Sequence, residues 1–203
     1  MDEKNSPALE LAESLIGQPG SRYRLPTPAL VLDQQALDRN ILRMASRARD
    51  ARVSLRPHAK SHKSSFIAKR QIAAGAVGIC CAKLGEAEAL SRAGIGSILL
   101  TSPIVGVMNA RRAWALQRAS NAITVVVDHP EQVDVLVQEA ERSERALDVL
   151  VDVDVGMART GVASVEAARN LARHIAASDR LRLRGVQGYA AGGYAARNAG
   201  ALG

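Results

Sequence analysis

The chain has 203 residues, 47% hydrophobic and 23% charged, with 27 Lys and Arg against 20 Asp and Glu for a formal charge of +7. That balance excludes an intrinsically disordered chain, and the lack of any run of about 18 apolar residues excludes a membrane-spanning helix. The polar start (Asp2, Glu3, Lys4, Asn5) shows no signal peptide, and the adjacent Cys80 and Cys81 cannot frame a secreted disulfide fold, so a cytoplasmic location is expected. In chain order, residues 1–26 read as a lead-in. Thr27–Asp33 is a short apolar run bounded by Pro28 and Asp33, a strand candidate. Residues 34–50 carry apolar side chains at helical spacing. An alternation follows. Strands are predicted at 53–60, 76–83, 97–101, 122–128, 147–155 and 181–189. Helices are predicted at 64–74, 85–93, 106–120, 130–143 and 164–178.

The strands are near-continuous Val, Ile and Leu runs, as expected where both faces of a sheet are covered. Short connections between alternating strands and helices predict an α/β fold with a parallel sheet and helices outside. A doubly wound sheet would carry a phosphate-binding glycine turn after its first strand. The segment His58-Ala-Lys-Ser-His-Lys63 has no glycine. A (β/α)8 barrel, which places functional residues at the C-terminal ends of its strands, fits better, with about six of the eight strands present.

The positive charge raises the question of nucleic acid. Such a surface needs clustered cations with aromatics for stacking. Here the arginines are scattered, often beside acids as in Glu139–Arg145, and the aromatics are Tyr23, Phe66, Trp114, Tyr189 and Tyr194. Solvated helix surfaces account for that pattern.

The segment Leu55-Arg-Pro-His-Ala-Lys-Ser-His-Lys63 carries the most chemistry. On a strand, Arg56, His58 and Lys60 would share one face. A neighbouring cation and desolvation would both depress the pKa of Lys60 and make it a nucleophilic amine. A solvated strand end leading into a helix is the plainer reading, and composition alone favours it.

Arg56-Pro-His-Ala-Lys-Ser-His-Lys63 resembles the lysine signature of the metal-dependent D-threonine aldolase and D-serine dehydratase family. Four further segments are similar to that family in the same order. They are Thr27–Asp33, Val77–Glu88, Val149–Val162 and Gly185–Tyr189. The resemblance implies an alanine-racemase-type barrel over residues 27–190 that binds pyridoxal 5'-phosphate. Lys60 aligns with the lysine that forms the Schiff base with the cofactor. Arg159 aligns with an arginine beside the pyridine nitrogen, where it limits the ring as an electron sink. Tyr189 aligns with a tyrosine beside the cofactor. The alternatives from the residues alone stay open. Arg159 would then pair with Asp154 in a loop, and Tyr189 would be an aromatic at the barrel rim. Lys63 reads as a surface or anion-facing residue. Asp152 and Asp154 share one strand face in supporting or structural roles, and Cys80 and Cys81 read as small buried strand residues.

The implied reaction is cleavage of a small β-hydroxy-D-amino acid to glycine and an aldehyde, with Lys60 catalytic. Gly78-Ile-Cys-Cys81 leans the reading towards the aldolase branch. Dehydration of D-serine or 3-hydroxy-D-aspartate is the alternative, and a non-catalytic remnant or a basic interaction module are others. A racemase of the same barrel class has a different lysine motif. The family uses a divalent metal whose ligands are not in this chain. No nucleic acid or membrane partner is implied, and a homodimer is compatible with the resemblance.

The resemblance breaks after Tyr189. The family continues Tyr-x-Gly-x-x-Gln-His, whereas this chain reads Tyr189-Ala-Ala-Gly-Gly-Tyr-Ala195. Ala82 also stands where the family often has glutamine. Residues 191–203 are therefore expected to be an aberrant or truncated tail. The last barrel strands and the C-terminal β-domain would be missing, leaving open sheet edges prone to association and an impaired enzyme.

Overall fold

The computed structural model describes residues 7–119, 122–140 and 145–190. The expectation for residues 191–203 lies outside them. The chain divides into two compact units, Met1–Met44 and Ala45–Gly203.

The first unit contains helix α1 (Pro7–Ser14), a 3-10 turn at Ser21–Tyr23 and the start of helix α2 (Gln34–Asp50). Asp33 caps α2, its carboxylate accepting the Ala36 N–H at 2.8 Å. The expected strand at 27–33 does not form. Its apolar side chains are exposed, Leu30 at 105%, Val31 at 63% and Leu32 at 59%. A strand exists only where a neighbour takes up its backbone groups, and no ladder engages this run among the described residues.

The second unit holds the sheet. In order it contains α3 (Ser65–Ala73), β1 (Ile79–Cys81), α4 (Leu84–Arg92), β2 (Ile98–Leu100), α5 (Val107–Arg118), β3 (Ile123–Val127), α6 (Pro130–Gln138), β4 (Leu147–Val153), α7 (Val165–Ala176) and β5 (Leu181–Gly188). The five strands are all parallel and lie in the order β1-β2-β3-β4-β5. Sequence order without a reversal is the progression of a (β/α)8 barrel wall, because a doubly wound sheet reverses its strand order at a switch point. Val125, Val126 and Val127 are fully buried, so both faces of β3 are covered. Trp114 on α5 is 1% exposed, and its Nε1–H donates to the Leu136 carbonyl of α6 at 2.9 Å. This bond satisfies the indole that the core would otherwise leave unpaired.

One departure from the predicted elements and one open sheet edge matter for the site. Residues 53–60 do not form a full strand. The Val77 N–H donates to Leu55 O at 2.9 Å and the Cys80 N–H to Pro57 O at 2.7 Å, so the segment accepts from the edge of β1. Pro57 has no N–H to return, and the pairing ends in a single bridge between His58 and Cys80. At the other edge, β5 is longer and exposed, with Val186 at 69% and Leu183 at 37%. Its pairing with β4 shifts register after Val149–Leu183, and Gly185 (φ 136°) follows the bulged Arg184. No helix among the described residues is long and apolar enough to cross a membrane.

Candidate active site

Lys60 lies in a 3-10 turn, Ala59–Ser61, rather than on a strand. The local sequence explains the turn. His58 Nδ1 accepts the Lys60 N–H at 3.3 Å, and Ser61 Oγ donates to the His58 carbonyl at 3.1 Å. The Ala59 carbonyl accepts from His62 N at 3.1 Å and Lys63 N at 2.7 Å. Side chains thus engage backbone groups that a strand would offer sideways. His62 Nδ1 accepts the Ser64 N–H at 3.0 Å, and Ser64 Oγ caps α3 by accepting the Ile67 N–H at 3.3 Å.

The period-two face proposed for Arg56, His58 and Lys60 therefore ends at His58. The Arg56 guanidinium reaches across to Ser97, donating to its carbonyl at 2.6 Å and to its hydroxyl at 3.1 Å. Gly78 makes this passage possible, because a Cβ there would collide with Ser97 O and Arg56 Nη1. Arg56 is a brace between segments, not a cation facing the amine.

Arg159 lies in the loop after β4. Asp154 Oδ1 accepts the N–H groups of Gly156, Met157 and Ala158 at 2.8, 2.9 and 3.1 Å. These amides hold the Asp154 carboxyl below its ordinary pKa. The loop closes where the Asp154 N–H donates to Val162 O at 3.0 Å and the Val162 N–H to Asp152 O at 2.9 Å. Gly161 (φ 100°) leaves no room for a side chain against the backbone of Val153 and Asp154, and its N–H donates to Asp128 Oδ2 at 3.0 Å. Asp154 is thus spent on the loop's amides, and among the described residues no ion pair joins it to Arg159.

Tyr189 follows directly on β5, 43% exposed. The Arg159 guanidinium carbon lies 4.6 Å from the centre of its ring, and Lys60 Nζ lies 5.9 Å from it. A cavity of about 280 Å³ is lined by all three of these residues together with His58, Thr101 and Gln187. The three site residues come from three separate stretches: the 3-10 turn, the β4–α7 loop and the end of β5. A second, larger hollow of about 650 Å³ adjoins it. The two share Ala82, Ser102 and Pro103. Lys63 and Arg112 line the larger one, and Arg112 is engaged there by Glu88 through bonds of 2.7 and 2.9 Å.

Thr101 and Gln187 were not singled out from the sequence. Thr101 merely ends an apolar run, and Gln187 is one polar residue within β5. Their partners are distant in the chain. Gln187 Nε2 donates to the Thr101 carbonyl at 3.1 Å and to Asp152 Oδ1 at 2.9 Å. Asp152 is 2% exposed, so this bond keeps a buried carboxylate satisfied in a supporting role. Cys81 is fully buried, and burial pushes its thiol up to about 12, which makes it inert as a nucleophile. No group of three or more His, Cys, Asp or Glu suited to a metal ion occurs among the described residues, so none is assigned to a divalent ion.

An amine, an aromatic face and a guanidinium around one cavity fit pyridoxal phosphate in kind: a group to bond its aldehyde, a surface for its ring and a donor for its ring nitrogen.

Residues 32–198 match the family of the alanine racemase N-terminal domain. The chain is 36% identical over 166 residues to a 3-hydroxy-D-aspartate aldolase of Paracoccus denitrificans, covering 81% of this chain and 43% of that protein. It is 38% identical over 173 residues to a D-threonine aldolase of an Arthrobacter species, covering 85% and 45% respectively. The crystal structure of D-threonine aldolase from Filomicrobium marinum superposes with a TM-score of 0.78 at 40% identity, over 80% of this chain and 44% of that one. The chain therefore spans less than half the length of these relatives.

Proposed function

The chain belongs to the alanine racemase N-terminal domain family, and on that premise we propose that it is the cofactor-holding barrel portion of a pyridoxal-phosphate-dependent lyase that cleaves β-hydroxy-D-amino acids to glycine and an aldehyde. The observation that carries this reading is the convergence of Lys60, Arg159 and Tyr189 on one cavity of about 280 Å³. The names of the similar proteins, a D-threonine aldolase and a 3-hydroxy-D-aspartate aldolase, supply the substrate class.

The bound cofactor supplies an electron-withdrawing ring that stabilises negative charge at the substrate α-carbon. The chain's own residues do the rest. Lys60 presents a primary amine at the cavity and is the residue that would hold the cofactor through its aldehyde, with loss of water. Its side chain leaves a turn whose backbone is held on both sides by His58 and Ala59. Arg159 brings a planar guanidinium with several N–H donors. It is the residue that would face the ring nitrogen of the cofactor and limit the ring as an electron sink. Tyr189 stacks on the Arg159 guanidinium and limits where it can swing.

The test is capture. The purified chain is mixed with pyridoxal phosphate, reduced with borohydride, digested and mapped by mass spectrometry. The expected label falls on Lys60. Aldehyde release from D-threonine and from 3-hydroxy-D-aspartate is then assayed with added divalent metal. Absence of label, or label spread over surface lysines, would overturn the reading.

A further inference from the structure

We propose that His58 is a positioning residue, a neutral imidazole that ties the Lys60 turn to the end of β2. Its Nδ1 accepts from the Lys60 N–H, and its Nε2–H donates to Thr101 Oγ1.

The geometry assigns both ring nitrogens independently. A backbone N–H can only donate, so the Lys60 N–H, 3.3 Å from His58 Nδ1, requires that nitrogen to be bare. His58 Nε2 lies 3.2 Å from Thr101 Oγ1. The one hydroxyl proton of Thr101 is directed to the Cys81 carbonyl at 3.1 Å. Towards His58 the hydroxyl oxygen can then only accept, so Nε2 carries the proton. Two unrelated constraints select the same neutral tautomer. An imidazolium would set an N–H against the Lys60 N–H.

The backbone of His58 is anchored as well. It bridges to Cys80 on β1, and its carbonyl accepts from Ser61 Oγ. The chain of contacts continues past Thr101. Gln187 Nε2 donates to the Thr101 carbonyl and to Asp152. Gln187 stands two residues before Tyr189, and the carbonyl of Asp152 closes the Arg159 loop through Val162. His58 therefore links the position of the Lys60 amine to the two strands that carry its partners in the cavity. The charged groups facing the imidazole are Lys60 in its own turn and Glu86 from α4. Burial and the Lys60 charge hold its pKa below the ordinary value, in accord with the neutral form, while Glu86 opposes them. The role in catalysis rests on the lyase reading above, but the tether itself does not.

The experiment has two arms. In the first, nitrogen-15 NMR of the 203-residue chain without cofactor reads the His58 ring. A bare Nδ1 and a protonated Nε2 at pH 7 are expected, with slow hydrogen exchange at the Lys60 amide. The opposite tautomer, an imidazolium, or an unprotected Lys60 amide overturns the proposal. The second arm compares two substitutions. His58→Asn offers an acceptor near the place of Nδ1, whereas His58→Gln reaches towards Thr101 but leaves the Lys60 N–H without an acceptor. Capture of pyridoxal phosphate on Lys60 is expected to slow about tenfold in His58→Gln, the weight of one ordinary hydrogen bond, and to be largely rescued in His58→Asn. Equal losses in both, tracking their loss of stability, would show a merely structural residue and overturn the proposal. If the unaltered chain captures no cofactor, the lyase reading fails, and the NMR arm alone decides the tether.

Discussion

The Arg159 guanidinium lies 4.6 Å from the centre of the Tyr189 ring, although the two residues belong to different loops. The contact forms because β4 and β5 are neighbours in the sheet and both end at the cavity. A cation over an exposed tyrosine contributes about 0.5–1 kcal/mol. Tyr189→Phe keeps the ring, and cofactor affinity is expected to stay within about twofold. Tyr189→Ala removes it, and the dissociation constant is expected to rise about three- to fivefold. Absorbance titration with pyridoxal phosphate measures both. Equal affinities for the alanine variant and the parent would remove Tyr189 from the site.

Lys60 lines the smaller cavity, and Lys63 lines its larger neighbour. Lys60→Ala is expected to abolish borohydride-fixed label, whereas Lys63→Ala leaves it in place. Label lost in the second variant and kept in the first would exchange their roles.

The loop that presents Arg159 depends on Gly161. Its φ of 100° suits glycine, and a Cβ would meet the backbone of Val153 and Asp154. Gly161→Ala is expected to cost about 1–3 kcal/mol in urea unfolding. It should also weaken cofactor affinity, because the loop must shift to relieve the collision. An unchanged unfolding midpoint would show that the loop accommodates the methyl group.

Acid should destabilise the fold through two histidines. Burial lowers the pKa of His58, with Lys60 adding to it, and burial lowers that of His62. In each case the unfolded chain binds the proton more readily. Stability therefore rises with pH between the lowered folded value and 6.5, and is fully present above 6.5. Lowering the pH below 6.5 should move the urea midpoint down. His62→Gln should flatten that dependence. A midpoint in that variant as steep in pH as in the parent would place the titrating group elsewhere.

Much of the fold was legible because helices and strands leave their period in the residues they bury. The helices predicted at 34–50, 64–74 and 164–178 appear as Gln34–Asp50, Ser65–Ala73 and Val165–Ala176. The strands failed where pairing, not pattern, decides. Leu30, Val31 and Leu32 form an apolar run, yet nothing among the described residues pairs with it. Residues 53–60 were shortened by Pro57 and by His58, whose ring accepts a backbone N–H the strand would have needed. A side chain that competes for the backbone leaves no periodic signal.

By itself the sequence indicated most of the order of strands and helices, the parallel α/β class and a candidate for the reactive amine. These follow from local burial periods and from one dense motif around Lys60. Only the tertiary structure decided that Lys60 leaves a turn, that Arg56 braces Ser97, and that Lys60, Arg159 and Tyr189 meet at one cavity. The reason is physical. Those relations depend on bonds between residues far apart in the chain, such as Gln187 to Thr101 and Gly161 to Asp128, and they exist only once the parallel ladder sets the strand ends side by side.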